Sequence, residues 1–280
     1  MKQRTLRTSK TISGIALHTG HRVMLTVRPA PADSGIRFRR TDLPGAPEIP
    51  AHVSNVVDVQ RGTTLAVGDA RVHTVEHLLA AIHALGVDNA VVDMGGPEPP
   101  VCDGSSASFV RLIREAGLEE QPAEARVIDV PEMLFVEAGE TKVVAIPDDA
   151  FRISCTVKFD ASQLDCQFFS ASVAEECFVS ELSRARTFCL YHEIEALMKA
   201  GLICGGSLDN AVVIKGSAIL SKEGLRYPDE FVRHKVLDMV GDLFLAGGRI
   251  RGQFIAVKPG HPANVKTAAR IAERIMGNQQ

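Results

Sequence analysis

Residues 229–245 read DEFVRHKVLDMVGDLFL, and their apolar side chains recur at the spacing of a helix. The pattern predicts one long, mostly buried helix, with the apolar positions Phe231, Val236, Leu237, Val240, Leu243 and Phe244. His234, Asp238 and Asp242 stand four residues apart, so they project from one face of this helix. Packing alone does not explain three polar side chains aligned on an otherwise apolar helix.

A second helical run, HTVEHLLAAIHALG at residues 73–86, holds the corresponding place in the first half of the chain. In each half, strand-like segments precede a long helix, a strand and another helix. At residues 119–127 the sequence changes to EEQPAEARV, which is charged, contains proline and is interpreted as a linker. The order predicts an α+β protein with two similar domains, residues 1–123 and 124–280.

The composition is typical of a soluble globular protein, with 45% hydrophobic residues and a net charge of −3. This charge and the lack of tryptophan argue against a nucleic-acid partner. No apolar run approaches the roughly 18 residues of a membrane span, and the N-terminus leads into no signal-peptide core. The six cysteines are scattered without a C-x-x-C pair, so we expect reduced thiols and a cytoplasmic location.

Two pairs of residues are candidates for metal chemistry. His234 and Asp238 have the spacing that lets one helix face grip a metal ion, although an ion pair between them explains the spacing too. Glu76 and His77 point about 100° apart on their helix, so one can bind a metal while the other serves as a base. The alternative for this pair is a partly exposed helix start beside a core histidine.

Two further residues have the character of catalytic groups. His261 follows a predicted strand on a turn loosened by Gly260, a position suited to acid–base work, but also that of an ordinary loop histidine. Thr187 precedes a helix predicted to start near Leu190, where it is either an N-terminal cap or a hydroxyl facing an oxyanion.

Taken together, these segments resemble the zinc-dependent UDP-3-O-acyl-N-acetylglucosamine deacetylases, which commit a sugar nucleotide to lipid A synthesis in Gram-negative bacteria. The resemblance extends over nearly the whole chain. It rests on seven blocks in order: GIALHTG (14–20), TVEHLLAAIHALGVDNA (74–90), DGSSASFV (103–110), ARTF (185–188), GGSLDNAVV (205–213), DEFVRHKVLDMVGDLFL (229–245) and KPGH (258–261).

The resemblance implies a role for each matching position. It implies one Zn²⁺ ion bound by His77, His234 and Asp238, with Glu76 as the base, His261 as a second acid–base group and Asp242 as its partner. Thr187 matches the threonine that helps bind the oxyanion. The implied substrate-binding residues are Lys235, Lys258, Phe188 and His18, with Ile194, Gly206 and Ala211 as candidates for lining an acyl-chain channel.

The same resemblance implies a fold and a reaction. Each domain is expected to be a β-sheet layered against two α-helices, with the domains packed face to face and the active site between them. The expected reaction is hydrolysis of the N-acetyl group of an acylated sugar nucleotide by a monomeric enzyme. Two other functions remain open from the residues: a zinc amidase for another N-acetylated substrate, and a non-catalytic protein that binds a sugar nucleotide or another partner.

Overall fold

The structure is a computed structural model that describes residues 1–158 and 166–277 of the chain. In the first half, a short 3₁₀ turn at Val53–Asn55 follows the fifth strand. The elements of this half are β1 (Lys2–Leu6), β2 (Lys10–Ile15), β3 (Arg22–Pro29), β4 (Ile36–Arg40), β5 (Glu48–Pro50), β6 (Val56–Asp58), β7 (Thr64–Val67), β8 (Ala70–Val72), α1 (Glu76–Ala84), β9 (Ala90–Met94), α2 (Ala107–Ala116) and β10 (Leu118–Glu124).

In the second half, a π-helical turn at Phe178–Leu182 continues the third helix, and a 3₁₀ turn at Tyr191–Glu193 precedes the fourth. The elements are β11 (Val127–Asp129), β12 (Leu134–Ala138), β13 (Thr141–Ile146), β14 (Phe151–Lys158), β15 (Cys166–Ser172), α3 (Glu175–Cys177), β16 (Phe188–Leu190), α4 (Ile194–Lys199), β17 (Val212–Lys215), β18 (Ala218–Leu220), α5 (Glu230–Phe244), β19 (Arg249–Val257) and α6 (His261–Gly277).

The two halves repeat one sheet topology. The first main sheet has the order β2-β3-β9-β4-β5, and the second has the order β12-β13-β19-β14-β15, with β11 also pairing with β19. In both sheets the last strand along the chain lies between the second and the third. It runs parallel to the third strand and antiparallel to the second. The predicted α+β fold with two similar domains is therefore confirmed.

Each main sheet buries one face, as the alternation of its strands shows. In β19, Ile250, Phe254 and Ala256 are buried while Ile255 and Val257 are exposed. This period of two is expected for a sheet with one face on the core and one in water. Helix α5 covers β14 and β15, and α6 covers β12 and β13. In the first half, α2 packs on β2 and on α1.

Helices α1 and α5 pack against each other where the two halves meet. Every residue of α1 from Glu76 to His83 is buried, as expected for a helix enclosed on all sides. The two backbones approach so closely at Gly241 that a Cβ atom at this position would overlap the carbonyl oxygen of Glu76. One hydrophobic cluster contains residues of both halves, among them Leu78 and Leu237.

One local prediction needs correction. Residues 118–124 form β10, which pairs antiparallel with β1, so this charged stretch is a paired strand rather than an irregular linker. Its side chains are all exposed or half-buried. Such a polar strand lacks the apolar alternation by which strands are predicted. The division into domains at residue 123 stays a prediction. Within the described ranges, no helix combines the length and apolar character needed to span a membrane.

The contact at Gly241 gives a test of the interface between the helices. We expect Gly241→Ala to lower the free energy of unfolding by about 1–3 kcal/mol, because the added methyl group must push α1 and α5 apart. Denaturant titration measures the change. The matched control is Gly260→Ala, whose added Cβ would lie 3.8 Å from its nearest neighbour, Pro262 Cδ. Equal stability of the two variants would contradict the close approach.

Candidate active site

The first turn of α1 and the middle of α5 bring His77, His234 and Asp238 together. The Nε2 atom of His77 lies 3.5 Å from Oδ1 of Asp238, and that of His234 lies 3.4 Å from the same oxygen. The two imidazole rings meet edge to face, with their centroids 5.0 Å apart. One ligand atom from each of the three residues lies within 4.8 Å of the others. All three residues are buried.

The donor atoms of this cluster fit a metal ion. Oδ1 of Asp238 is buried without a hydrogen-bond partner among the described residues, although a buried carboxylate oxygen normally has one. The Nδ1 atom of His234 donates to the carbonyl oxygen of Ala185 at 3.1 Å, which leaves the Nε2 lone pair facing the cluster. Burial lowers the pKa of His234 to about 3, so the ring is neutral, the form that binds metals. The cluster can thus hold a divalent cation.

A second buried cluster lies beside the first and contains Glu76, Asp242 and His261. The Nδ1 atom of His261 lies 2.9 Å from Oδ2 of Asp242, and its Nε2 atom lies 3.9 Å from Oε1 of Glu76. Glu76 is only 2% exposed, which excludes the partly exposed helix start considered from the sequence. His261 is the first residue of α6 rather than part of a turn.

In this second cluster, the pKa shifts make Glu76 a candidate base and His261 a candidate acid. Burial raises the pKa of Glu76 above its ordinary value. Burial alone would lower the pKa of His261, but Asp242 and Glu76 together raise it to about 9. His261 is therefore a cation at neutral pH, facing a carboxylate that can accept a proton. Such a pair of groups is suited to general acid–base catalysis.

The segment before β16 lies against the metal-ligand candidates. Ala185 accepts the hydrogen bond of His234, and the Phe188 ring centroid lies 6.0 Å from that of His234. Thr187 lies between them and donates its backbone N–H to the carbonyl of Gly104 at 2.8 Å. The helix after β16 begins beyond Leu190, so Thr187 is not its N-terminal cap. Its part in binding an oxyanion stays a prediction.

The other substrate-binding candidates are Lys235, Lys258 and His18, of which Lys235 contacts the first cluster. The Nζ atom of Lys235 lies 2.9 Å from Oδ2 of Asp238, and that of Lys258 lies 2.7 Å from Glu140. His18 connects three segments: Nε2 lies 3.3 Å from the carbonyl of Arg61, and Nδ1 accepts the N–H of Ile203 at 3.4 Å.

The channel candidates belong to the region of the small sheet β16-β17-β18. Ile194 is the half-buried first residue of α4, Ala211 is half-buried directly before β17, and Gly206 is exposed beside Leu17. The lining of an acyl-chain channel by these three residues stays a prediction.

The sequence model of one protein family, described as UDP-3-O-acyl N-acetylglycosamine deacetylase, matches residues 3–273. The chain belongs to this family. A curated relative from Teredinibacter turnerae is 46% identical over 276 residues, which cover 98% of this chain and 91% of the relative. A relative from Pseudomonas entomophila is 46% identical over 266 residues, covering 94% of this chain and 88% of its own length.

A third relative, from Saccharophagus degradans, is 44% identical over 276 residues, which cover 98% of this chain and 91% of the relative. All three relatives are named UDP-3-O-acyl-N-acetylglucosamine deacetylase. The resemblance identified from the seven sequence blocks is therefore confirmed. Membership in this deacetylase family also argues against a non-catalytic binding protein.

Two further polar residues contact these clusters, and the sequence did not single them out. Thr63 donates its backbone N–H to Glu76 and its hydroxyl to Asp242, and Asn264 donates its side-chain amide to Asp242 at 2.9 Å. Asn264 lies three residues after His261, so a helix that starts at His261 places the two side chains next to each other. Thr63 carries no such signal, because only the tertiary structure brings it to these carboxylates.

The raised pKa of His261 makes stability depend on pH. The unfolded histidine has a pKa of 6.5, so this group stabilises the fold fully below pH 6.5 and loses its contribution as the pH rises through about 9. We expect Asp242→Asn to remove most of this dependence, because it takes away the main neighbouring charge. Denaturant unfolding of metal-free protein at several pH values between 6.5 and 9.5 measures it.

The control for this experiment is Asp93→Asn. Asp93 pairs with Arg28 and Arg39 on the first sheet, and arginine does not titrate in this pH range. If the wild type and both variants lost stability in parallel with rising pH, the assignment of the raised pKa to the pairing with Asp242 would be contradicted.

Proposed function

We propose that this chain hydrolyses the N-acetyl group of a UDP-3-O-acyl-N-acetylglucosamine with one bound zinc ion, the reaction that commits the sugar nucleotide to lipid A synthesis. The observation that carries this proposal is Oδ1 of Asp238, which has no hydrogen-bond donor among the described residues. It faces the Nε2 atoms of His77 and His234 next to a base and a cationic histidine. Family membership supports the choice of substrate. Action as a monomer in the cytoplasm belongs to the same proposal.

Zinc is the metal that best fits the donor atoms. Two imidazole nitrogens and one carboxylate are a common ligand set of catalytic zinc sites, which keep a further position open. When bound, the ion would polarise the acetyl carbonyl group and lower the pKa of water toward about 7. Lys235 remains close to Asp238 and balances its charge, which limits the net negative charge of the cluster.

Glu76 would accept a proton from the attacking water as the new C–O bond forms. Its Oε2 atom is fixed by the backbone N–H of Thr63 at 2.9 Å, so that Oε1 is available for the proton. The electron pair of the carbonyl double bond moves onto oxygen, where the Thr187 hydroxyl would donate a hydrogen bond. One such donor contributes about 2.7–4 kcal/mol to the stability of a transition state.

His261 would donate its Nε2 proton to the sugar nitrogen as the C–N bond breaks. Asp242 holds the ring through Nδ1, which directs Nε2 toward Glu76 and the metal-ligand cluster. Glu76 would then return its proton to His261 once the 3.9 Å between them shortens to hydrogen-bond distance, and both groups recover their starting state. The products are acetic acid, which ionises to acetate, and the free amine of the sugar nucleotide.

Chelation and substitution test the metal and the base together. We expect about one zinc ion per purified chain, loss of acetate release on chelation and recovery with added zinc. We expect Glu76→Ala and His261→Ala to retain zinc but lose about 10²–10⁴-fold in kcat, since each removes an acid–base group. Asp93→Asn, a buried carboxylate outside the site, is the control and should keep wild-type turnover.

The result that would refute these assignments is near wild-type turnover in both Glu76→Ala and His261→Ala with zinc bound. A zinc content below about half an equivalent per chain, if added zinc does not raise it, would count against the metal site.

The proposed acyl channel gives a separate prediction. If Ile194, Gly206 and Ala211 line it, kcat/KM should depend on the length of the 3-O-acyl chain, because each buried methylene contributes about 0.8 kcal/mol. A substrate series of increasing acyl length, assayed for acetate release, measures this dependence. An equal kcat/KM across the series would exclude the channel while leaving the deacetylation itself standing.

A further inference from the structure

Thr63 contacts both parts of the acid–base machinery, and its hydroxyl has no role in the reaction as proposed above. It lies directly before β7 and is fully buried. Its backbone N–H donates to Oε2 of Glu76 at 2.9 Å, and its hydroxyl donates to Oδ1 of Asp242 at 2.6 Å. One residue of the first half thus contacts both the proposed base and the carboxylate that holds the proposed acid.

We infer that Thr63 is a positioning residue, which fixes the Asp242–His261 pair relative to Glu76. The inference rests on the proposed deacetylation and adds a residue to it. Thr63 would not touch the reacting atoms. It would act through the orientation of two side chains that do.

The hydrogen bonds of Asp242 show how this positioning works. Oδ2 accepts from Nδ1 of His261 and from the side-chain amide of Asn264, both at 2.9 Å. Oδ1 accepts from the Thr63 hydroxyl. Because each oxygen has its own donor, the carboxylate cannot rotate without breaking a charge-assisted hydrogen bond. Without the Thr63 hydroxyl, Oδ1 would be a buried acceptor with a missing partner, and rotation would carry the His261 ring with it.

The backbone around Thr63 is held in place from both sides. Its carbonyl oxygen accepts the N–H of Val75, the residue before α1, at 3.3 Å. At the preceding Gly62, a Cβ atom would come within 3.1 Å of Oε1 of Glu76 and 3.3 Å of Oγ1 of Thr74, so little space separates this segment from α1. The position of the Thr63 side chain is therefore fixed by its backbone, and its hydroxyl can hold Asp242 in one orientation.

The neighbouring Thr64 provides a matched control. It is also a buried threonine, 4% exposed, and its hydroxyl lies 3.0 Å from Nδ1 of His73. The substitution Thr→Val keeps the shape and the backbone N–H at either position and removes only the hydroxyl. Each variant therefore loses one side-chain hydrogen bond, and only the bond of Thr63, which is charge-assisted, reaches the acid–base groups.

The experiment compares Thr63→Val, Thr63→Ser and Thr64→Val in the zinc-loaded enzyme, by kcat, KM, zinc content and thermal unfolding. We expect Thr63→Val to lower kcat about 10- to 100-fold, with KM changed by less than about threefold and zinc retained. Thr63→Ser keeps the hydroxyl and should stay within about threefold of the wild-type kcat. Thr64→Val should keep the wild-type kcat even where its melting temperature falls as much.

Three results would overturn the inference: a wild-type kcat in Thr63→Val, an equal loss of kcat in Thr64→Val, or no rescue by Thr63→Ser. Loss of zinc from Thr63→Val would overturn it as well, because the residue would then support the metal site rather than the acid–base pair. Failure of the wild type to release acetate would instead remove the proposed function, and the role of Thr63 with it.

Discussion

The close approach of α1 and α5 is the contact on which the site depends. Gly241 permits it, because any side chain there would meet the carbonyl oxygen of Glu76. At this distance the first turn of α1 places Glu76 and His77 against the face of α5 that carries the other polar groups. Close packing transmits such geometry directly, since interiors have little free volume to absorb a shift. A site shared between two halves therefore needs no flexible loop to assemble it.

The buried charges at this contact are arranged so that each has an opposite neighbour. Asp238 lies beside Lys235 and His77, and Asp242 beside His261. A buried carboxylate without such partners would be costly, and would take up a proton instead. The exception is Oδ1 of Asp238, which lacks a hydrogen-bond donor among the described residues. A bound cation would satisfy this carboxylate oxygen, so the atom that is costly to bury in the fold is also the atom that would bind the metal.

The two halves share one sheet topology but contribute different side chains to the clusters. Both halves build the same five-strand order and place a long helix before the last strand of the sheet. The helix of the first half supplies Glu76 and His77, whereas that of the second supplies His234, Asp238 and Asp242. The two additional three-stranded sheets also carry different residues. Thr63 directly precedes β7 of the β6-β7-β8 sheet, whereas Thr187 directly precedes Phe188, the first residue of the β16-β17-β18 sheet. Similar scaffolds thus carry different functional groups.

The sequence by itself determined the features that depend on short-range order. Helical spacing located α1 and α5, and the four-residue spacing of His234, Asp238 and Asp242 put them on one face. The seven family blocks, rather than spacing, joined His77 to the ligands on α5. Only the tertiary structure decided that residues 118–124 pair with β1, that Thr63 reaches Asp242 and that α1 touches Gly241. Periodicity records how a segment meets the core, whereas contacts between distant segments follow from how the finished elements pack.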